Sequence, residues 1–308
     1  MDARLLSSDP AQIEAAAAEI RAQGPQAVDD LLQGCPSLTQ PGGSLSSPDA
    51  LHHASLRMAM RWLSCATESA EAQRLRSQTT RLNLNHHDAA LLTDLRSFSH
   101  LSALQELVAW QPVKLASLEG ISKLPALRQL SLPGARSLRS ADGIPASLEV
   151  LNLRRSGLES ARGLDSPTLR TVDLSECRRL RSLGSLGPGV HTLSAEYCEA
   201  LHQLDALADC RALRSLRISD MVLAADLRPL QGLPELQHLA LKRCLLTDLG
   251  VLKTLPALLN LDLSAAAIED LDSLRAWVDR RACRIAGPDK GKVWEQLSQG
   301  LEARQLTL

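Results

Sequence analysis

Residues 213–218 read LRSLRI, with apolar residues at the first, fourth and sixth positions of the stretch. Seven further stretches carry the same pattern. They are LQELVA from Leu104, LRQLSL from Leu127, LEVLNL from Leu148, LRTVDL from Leu169, VHTLSA from Val190, LQHLAL from Leu236 and LLNLDL from Leu258. A degenerate copy surrounds Leu82, and a weaker last copy surrounds Ile285. The chain is therefore organised by an internal repeat.

The second apolar position of each copy recurs at a regular step. The positions are Leu82, Leu107, Leu130, Leu151, Val172, Leu193, Leu216, Leu239 and Leu261. The steps between them are 25, 23, 21, 21, 21, 23, 23 and 22 residues. So narrow a range across successive copies indicates one structural unit stacked many times.

The spacing within a copy predicts its local structure. In x-Leu-x-Leu-x the side chains alternate, so the leucines point one way and the variable residues the other, as in a β-strand. The second half of each copy carries apolar residues about three positions apart, which favours short 3₁₀ or α turns. Examples of these anchors are Leu158, Leu164, Leu223, Leu230 and Leu252.

This repeat resembles the leucine-rich repeat in its short bacterial-type form of roughly 22 residues. The resemblance covers residues 79–287. It implies an α/β solenoid shaped as a horseshoe, with parallel β-strands on the concave face and short helical or 3₁₀ turns on the convex face. It also implies that the concave face binds the ligand.

The ends of such a stack need caps, because a terminal repeat would expose its apolar interior. Residues 1–78 are predicted to form a helical N-terminal cap, with a small separate docking module as the alternative. Residues 288–308 are predicted to form a C-terminal capping helix that uses Val293, Trp294, Leu297 and Leu301.

Composition restricts the classes of function. The 34 basic and 35 acidic residues balance, which argues against general nucleic-acid binding because that requires a basic excess. No stretch is long and apolar enough to predict a membrane span or a secretory signal. We therefore expect a cytoplasmic, monomeric protein with no membrane or nucleic-acid partner, although delivery into a host cell remains an alternative.

The exposed positions around the paired leucines supply candidate binding residues. They combine charges of both signs with rare aromatic residues, and aromatic residues and arginine are enriched at binding hot spots. The position directly after each leucine pair also includes Ser175 and Ser219. The candidates for partner binding are Trp110, Arg154, Arg155, Asp173, Glu176, Glu196, Tyr197, Arg217, Lys242 and Arg243. The alternative is that these charges only form lateral salt bridges that keep the face soluble.

Catalytic and metal chemistry find little support in the sequence. Cys177, Cys198 and Cys244 recur at one repeat position where the family pattern has Asn or Cys, which predicts inward side chains that meet the neighbouring backbone. The pairs His52-His53 and His86-His87 lack the i, i+4 spacing of a helical zinc pair. We therefore expect no metal, no cofactor and no enzyme activity.

The sequence thus predicts a non-enzymatic module that binds a partner protein through its concave face. A cytoplasmic inhibitor or immunity-type protein is the leading role. A bacterial effector that captures a host protein is the alternative. A small catalytic function within residues 1–78 is a remote third.

Overall fold

The computed structural model describes residues 79–84, 89–90, 92–221, 223, 225–278, 284–286 and 306–307, with seven isolated residues nearer the N-terminus. The chain divides into two compact units. The first comprises Met1–Ala135 and Gly143–Leu148, and the second comprises Arg136–Asp142 and Glu149–Leu308. Apart from those isolated positions, the cap predicted for residues 1–78 lies outside the described residues.

The first unit contains three described parallel strands, one in each copy of the repeat. They are β1 (Arg81–Leu84), β2 (Glu106–Ala109) and β3 (Gln129–Ser131). The register aligns Leu82 with Leu107 and Leu107 with Leu130. The return segments contain the 3₁₀ turns Arg96–Phe98 and Ile121–Lys123.

The second unit continues the same arrangement with one strand in each coil. The strands of its main sheet are β4 (Val150–Asn152), β5 (Thr171–Asp173), β6 (Thr192–Ala195), β7 (Ser215–Ser219), β8 (His238–Lys242), β10 (Asn260–Asp262), β12 (Arg284–Ala286) and β13 (Leu306–Thr307). Each is parallel to its neighbour, and the register aligns Leu151, Val172, Leu193, Leu216, Leu239, Leu261 and Ile285 in one row. The weak last copy around Ile285 is therefore confirmed as a strand.

Burial follows the predicted alternation. The second-position residues from Leu82 to Leu261 are all at most 1% exposed, and the residues that flank them are exposed or half-buried. Backbone hydrogen bonds extend the ladder beyond the short strands, as from Thr171 N to Glu149 O and from Leu174 N to Ser194 O. Aliphatic packing and coil-to-coil hydrogen bonds thus fix the position of every residue on the strand face.

Three return segments of the second unit contain the predicted 3₁₀ turns, which are Asp205–Asp209, Arg228–Leu230 and Gly250–Thr254, and the following one contains the helix α1 (Leu271–Val278). The described returns after β4 and β5 contain no such turn and pair through isolated parallel bridges, as between Leu164 and Leu186. The small parallel sheet of β9 (Leu245–Leu246) and β11 (Ala267–Ile268) lies in the same part of the coils.

Two details differ from the sequence expectation. Leu223 is 59% exposed and is not an apolar anchor, and the buried Met221 and Leu227 lie on either side of it instead. Leu306 belongs to β13, so the end of the segment 288–308 is a strand that pairs with Ile285 and not a helix. Residues 287–305 lie outside the described residues.

Candidate binding face

In six coils of the second unit, those of β4, β5, β6, β7, β8 and β10, one residue after the strand turns the backbone sharply. These equivalent residues, here called the turn column, are Arg155, Glu176, Tyr197, Asp220, Arg243 and Ala265. Their φ angles lie between 52° and 62°. This left-handed region costs a residue with a Cβ roughly 1–2 kcal/mol, whereas glycine enters it freely. The turn column therefore holds six side chains where glycine would be less strained.

The left-handed turn lets the backbone bond to the next coil. The N–H groups of Arg155, Glu176, Asp220 and Arg243 donate to carbonyls of the following coil over 2.7 to 3.0 Å. Tyr197 differs, because its N–H donates to the Ser219 side-chain Oγ at 2.8 Å. The backbone geometry of the turn column is thus required by the stacking of the coils.

Charges of the turn column pair between adjacent coils. Glu176 accepts hydrogen bonds from Arg155 Nε at 2.5 Å and from the Arg154 guanidinium. Asp220 accepts hydrogen bonds from Arg243 Nε at 2.5 Å and Nη2 at 2.8 Å. These bonds hold the pKa of both carboxyl groups below the usual range and raise the pKa of Arg154 and Arg243.

Tyr197 lies at the centre of the turn column. Its ring is 46% exposed, and the guanidinium carbon of Arg243 lies 4.8 Å from the ring centroid, in the range of a cation–π contact. Ser219 links Tyr197 to Asp220, the ion-pair partner of Arg243. Its hydroxyl accepts a hydrogen bond from the Tyr197 N–H and donates one to Asp220 Oδ2 at 2.6 Å. Tyr197, Asp220 and Arg243 therefore form one cross-linked, partly exposed cluster.

Other polar residues near the strand ends make hydrogen bonds within and between the coils. Asp173 Oδ1 accepts the N–H of Ser175 at 2.9 Å, which caps the end of the strand. Ser175 and Ser219, expected on the open face, are only 5% and 1% exposed. The backbone begins to turn at this position, so Ser175 Oγ lies 3.0 Å from Ser194 Oγ of the next coil.

The remaining candidates of the second unit differ in their partners. Lys242 Nζ lies 3.2 Å from Asp262 Oδ2. Among the described residues, the side chains of Glu196 and Arg217 make no hydrogen bond or ion pair. The exposed Arg217 and the half-buried Glu196 are thus available to an external partner.

Trp110 belongs to the first unit and is 52% exposed. Beside it, Gln111 has a φ of 54° and donates its N–H to Pro133 O at 2.8 Å. Gly134 occupies the equivalent left-handed position of the next coil, with a φ of 86°. The first unit therefore presents an exposed tryptophan next to a left-handed turn, and its strands β1 and β2 are joined by an ion pair between Arg81 and Glu106.

The residue after each member of the turn column points inward. We call these residues the inward column, and they are Ser156, Cys177, Cys198, Met221, Cys244 and Ala266, all at most 8% exposed. Cys177 Sγ donates to Leu153 O and Cys198 Sγ to Leu174 O, each at 3.2 Å. Burial raises the pKa of Cys177 to about 11 and that of Cys198 to about 12, which disfavours thiolate formation.

The inward cysteines complete the pattern of one parallel strand, one left-handed turn and one inward side chain in each coil. The described coils have the fold of a leucine-rich-repeat solenoid. The prediction that the recurring cysteines are structural is confirmed by their burial and by their bonds to backbone carbonyls.

No protein-family model and no curated protein matches this chain. Solved structures are similar to it at low sequence identity. Internalin C2 from Listeria monocytogenes is 17% identical over 70% of this chain and 86% of its own, with a TM-score of 0.45. The functional domain of InlJ from Listeria monocytogenes, which includes a cysteine ladder, is 16% identical over 76% of this chain and 55% of its own, with a TM-score of 0.49.

A mouse protein is similar to the same degree. The RP105/MD-1 complex contains a chain 16% identical over 77% of this protein and 51% of that chain, with a TM-score of 0.49. The protein thus spans about half the length of the InlJ and RP105/MD-1 chains. At such identities no residue role transfers from one chain to another, so the candidate face depends on the contacts of this chain alone.

Within the described part of the chain, no three His, Cys, Asp or Glu side chains are grouped to hold a metal ion. No helix among the described residues is long and apolar enough to cross a membrane. His52, His53, His86 and His87 lie outside the described residues.

Proposed function

We propose that this leucine-rich-repeat protein binds a partner protein, and that the turn column and the adjacent strand face of its second unit form the contact surface. One observation carries the proposal. All six members of the turn column are left-handed, yet none is glycine, and four are charged while a fifth is tyrosine. Backbone strain of this kind persists mainly where a side chain is needed for function.

The chemistry of this surface suits a protein partner. Tyrosine and arginine dominate binding hot spots, because they bury a large area while keeping polar ends. The ion pairs of Arg155 with Glu176 and of Arg243 with Asp220 hold these side chains in place before binding, which lowers the entropy cost of association. The proposed contact residues are Arg154, Arg155, Asp173, Glu176, Glu196, Tyr197, Arg217, Lys242 and Arg243, with Trp110 of the first unit as a separate contact.

The experiment compares three baits in extracts of the source organism and, separately, in extracts of a host cell. They are the wild-type protein, the double variant Tyr197→Gly/Arg243→Gly and the single variant Ala265→Gly. All three variant positions share the left-handed backbone, so glycine relieves strain equally in each, but only the double variant loses large side chains. A protein that binds the wild type and the Ala265→Gly variant, but binds the double variant at least tenfold more weakly, supports the proposal.

Equal binding of that protein to all three baits would contradict the proposal, provided that circular dichroism shows all three folded. The source of the bound protein then separates the two roles. A toxin or enzyme of the producing cell supports an inhibitor or immunity function. Binding only in extracts of a host cell supports an effector.

A further inference from the structure

A small notch interrupts the strand face of the second unit. It has a volume of about 170 Å³ and is lined by Leu216, Arg217, His238, Leu239, Ala240, Asn260 and Asp262. Its cause is Ala240, which occupies the position between the paired leucines where neighbouring coils carry Arg217 and Asp262. The short side chain leaves space between these two longer ones.

Arg217 supplies the charge of the notch. In the register its neighbours are Ser194 on one side and Ala240 on the other, so neither adjacent coil offers it a carboxylate at the same level. The arginines of the neighbouring turn column, Arg155 and Arg243, are ion-paired. Among the described residues, the exposed Arg217 side chain has no hydrogen bond or ion pair, and Glu196 on the preceding coil does not reach it.

The other polar groups of the notch are satisfied. Asp262 accepts hydrogen bonds from the N–H and the hydroxyl of Ser264 at 3.0 and 2.5 Å and pairs with Lys242 at 3.2 Å. Asn260 Nδ2 lies 2.7 Å from His238 Nδ1. With the charge of Asp262 compensated by Lys242, one positive charge remains without a counter-charge.

We infer that the notch between Arg217 and Ala240 receives the carboxylate of one aspartate or glutamate side chain of the partner protein. This inference rests on the proposed function. A planar guanidinium binds a carboxylate through two parallel hydrogen bonds. The notch is smaller than the 300–1,000 Å³ typical of small-molecule pockets, so it accommodates one side chain and not a whole ligand. Asp262 also lines the notch, and its carboxylate disfavours the second negative charge of a phosphate dianion more than the single charge of a carboxylate.

The test is an NMR titration of the full-length protein, labelled at alanine methyl and arginine Nε groups. The probes are the capped tripeptide Gly-Glu-Gly, its Gly-Gln-Gly analogue and inorganic phosphate, at equal ionic strength. We expect the Ala240 methyl and Arg217 Nε–H signals to move with the glutamate peptide, and the glutamine peptide and phosphate to bind at least fivefold more weakly.

Variants locate the binding site. Arg217→Gln removes the charge, so the Ala240 methyl signal should no longer move with the glutamate peptide. Ala240→Leu fills the notch, so the Arg217 Nε–H signal should no longer move. Arg211→Gln removes an exposed positive charge that does not line the notch, so it should retain both shifts. Equal shifts with both peptides, tighter binding of phosphate, or unchanged binding by folded Arg217→Gln would each overturn the inference.

The titration is independent of the partner experiment. Suppose that the Tyr197→Gly/Arg243→Gly variant binds both the glutamate peptide and the partner as tightly as the wild type does. In that case the proposed contact surface is wrong and the inference about the notch stands. If that variant no longer binds the partner and the glutamate peptide does not bind the wild type, the inference about the notch is wrong and the proposed function stands.

Discussion

The turn column and the inward column lie one position apart along the chain and differ in their exposure to solvent. Glu176 and Cys177, like Tyr197 and Cys198, are consecutive residues. The first of each pair is half-buried or exposed on a left-handed backbone, and the second is buried against the previous coil. In the inward column the space limits the residue to Ser, Cys, Ala or Met. In the turn column the backbone favours glycine, yet the chain holds arginine, glutamate and tyrosine.

This contrast separates two kinds of constraint. Packing explains the inward column, because a buried site accepts only a side chain that fits the space between the coils. Cys177 and Cys198 also donate to a carbonyl of the previous coil. Packing does not explain the turn column, because its large side chains add strain and lie at the surface. This is why we propose that the turn column belongs to the contact surface.

The largest expected effect is the loss of stability when a buried residue of the leucine row is replaced. Leu193 is fully buried in β6 between Val172 and Leu216. Leu193→Asp places a carboxylate there without a partner, which should lower the free energy of unfolding by roughly 4 kcal/mol or more. Urea denaturation followed by circular dichroism measures the change.

The matched control is Ser194→Asp, the next residue, which lies on the half-buried strand face. It should cost less than about 1 kcal/mol, since the carboxylate there keeps contact with water. Similar losses in both variants would mean that β6 does not separate an interior from a surface.

A second effect compares the two columns directly. Cys198→Leu enlarges a buried side chain and removes its hydrogen bond to Leu174 O, so it should cost about 1–3 kcal/mol by overpacking. Tyr197→Leu, one residue earlier, should change the free energy of unfolding by no more than about 0.5 kcal/mol while weakening partner binding. Thermal unfolding of both variants measures the difference, and a reversed order would contradict the assignment of the columns.

Much of this fold follows from the sequence, for an identifiable reason. The row from Leu82 to Leu261 repeats at 21 to 25 residues, and a regular step allows only a stack in which equivalent residues become neighbours. The inward direction of Cys177 and Cys198 follows from the same step. Leu223 was misassigned because periodicity does not fix the course of a long return segment, in which Met221 and Leu227 are buried instead.

The contact surface is less predictable. Arg154, Arg155 and Glu176 could be placed on one face, but their convergence on a single carboxylate depends on rotamers that the repeat does not encode. The left-handed backbone of the turn column was also missed. Among the described residues, the glycine or asparagine typical of such a turn occurs at this repeat position only at Gly134, which lies in the first unit and outside the turn column.

A third and smaller effect measures the backbone strain of the turn column. Ala265 belongs to the turn column with a φ of 55°, and Ala266 follows it in the inward column. Ala265→Gly should raise the free energy of unfolding by about 0.5–1 kcal/mol, because relief of the left-handed strain exceeds the entropy that glycine adds to the unfolded chain. Ala266→Gly should lower it by about 1 kcal/mol, because it has no such strain to relieve and loses a buried methyl group. Changes of the same sign would show that the turn column is not strained.

The smallest effect concerns the ion pairs of the turn column and depends on pH. The hydrogen bonds from Arg155 and Arg154 lower the pKa of Glu176 in the folded protein, whereas an unfolded glutamate titrates near 4.3. The stabilisation is therefore complete above about pH 5 and disappears as the pH falls through the folded pKa. Because the arginines are about half exposed, its size should be on the order of 0.5 kcal/mol.

Glu176→Gln isolates this contribution, since glutamine resembles protonated glutamate in shape and charge. The variant should be less stable than the wild type at pH 7 and equally stable near pH 2, as measured by urea denaturation at each pH. A difference that persists at both pH values would assign the role of Glu176 to packing and hydrogen bonding. Convergence at low pH would show that electrostatic attraction holds Arg154 and Arg155 in the positions from which the turn column meets its partner.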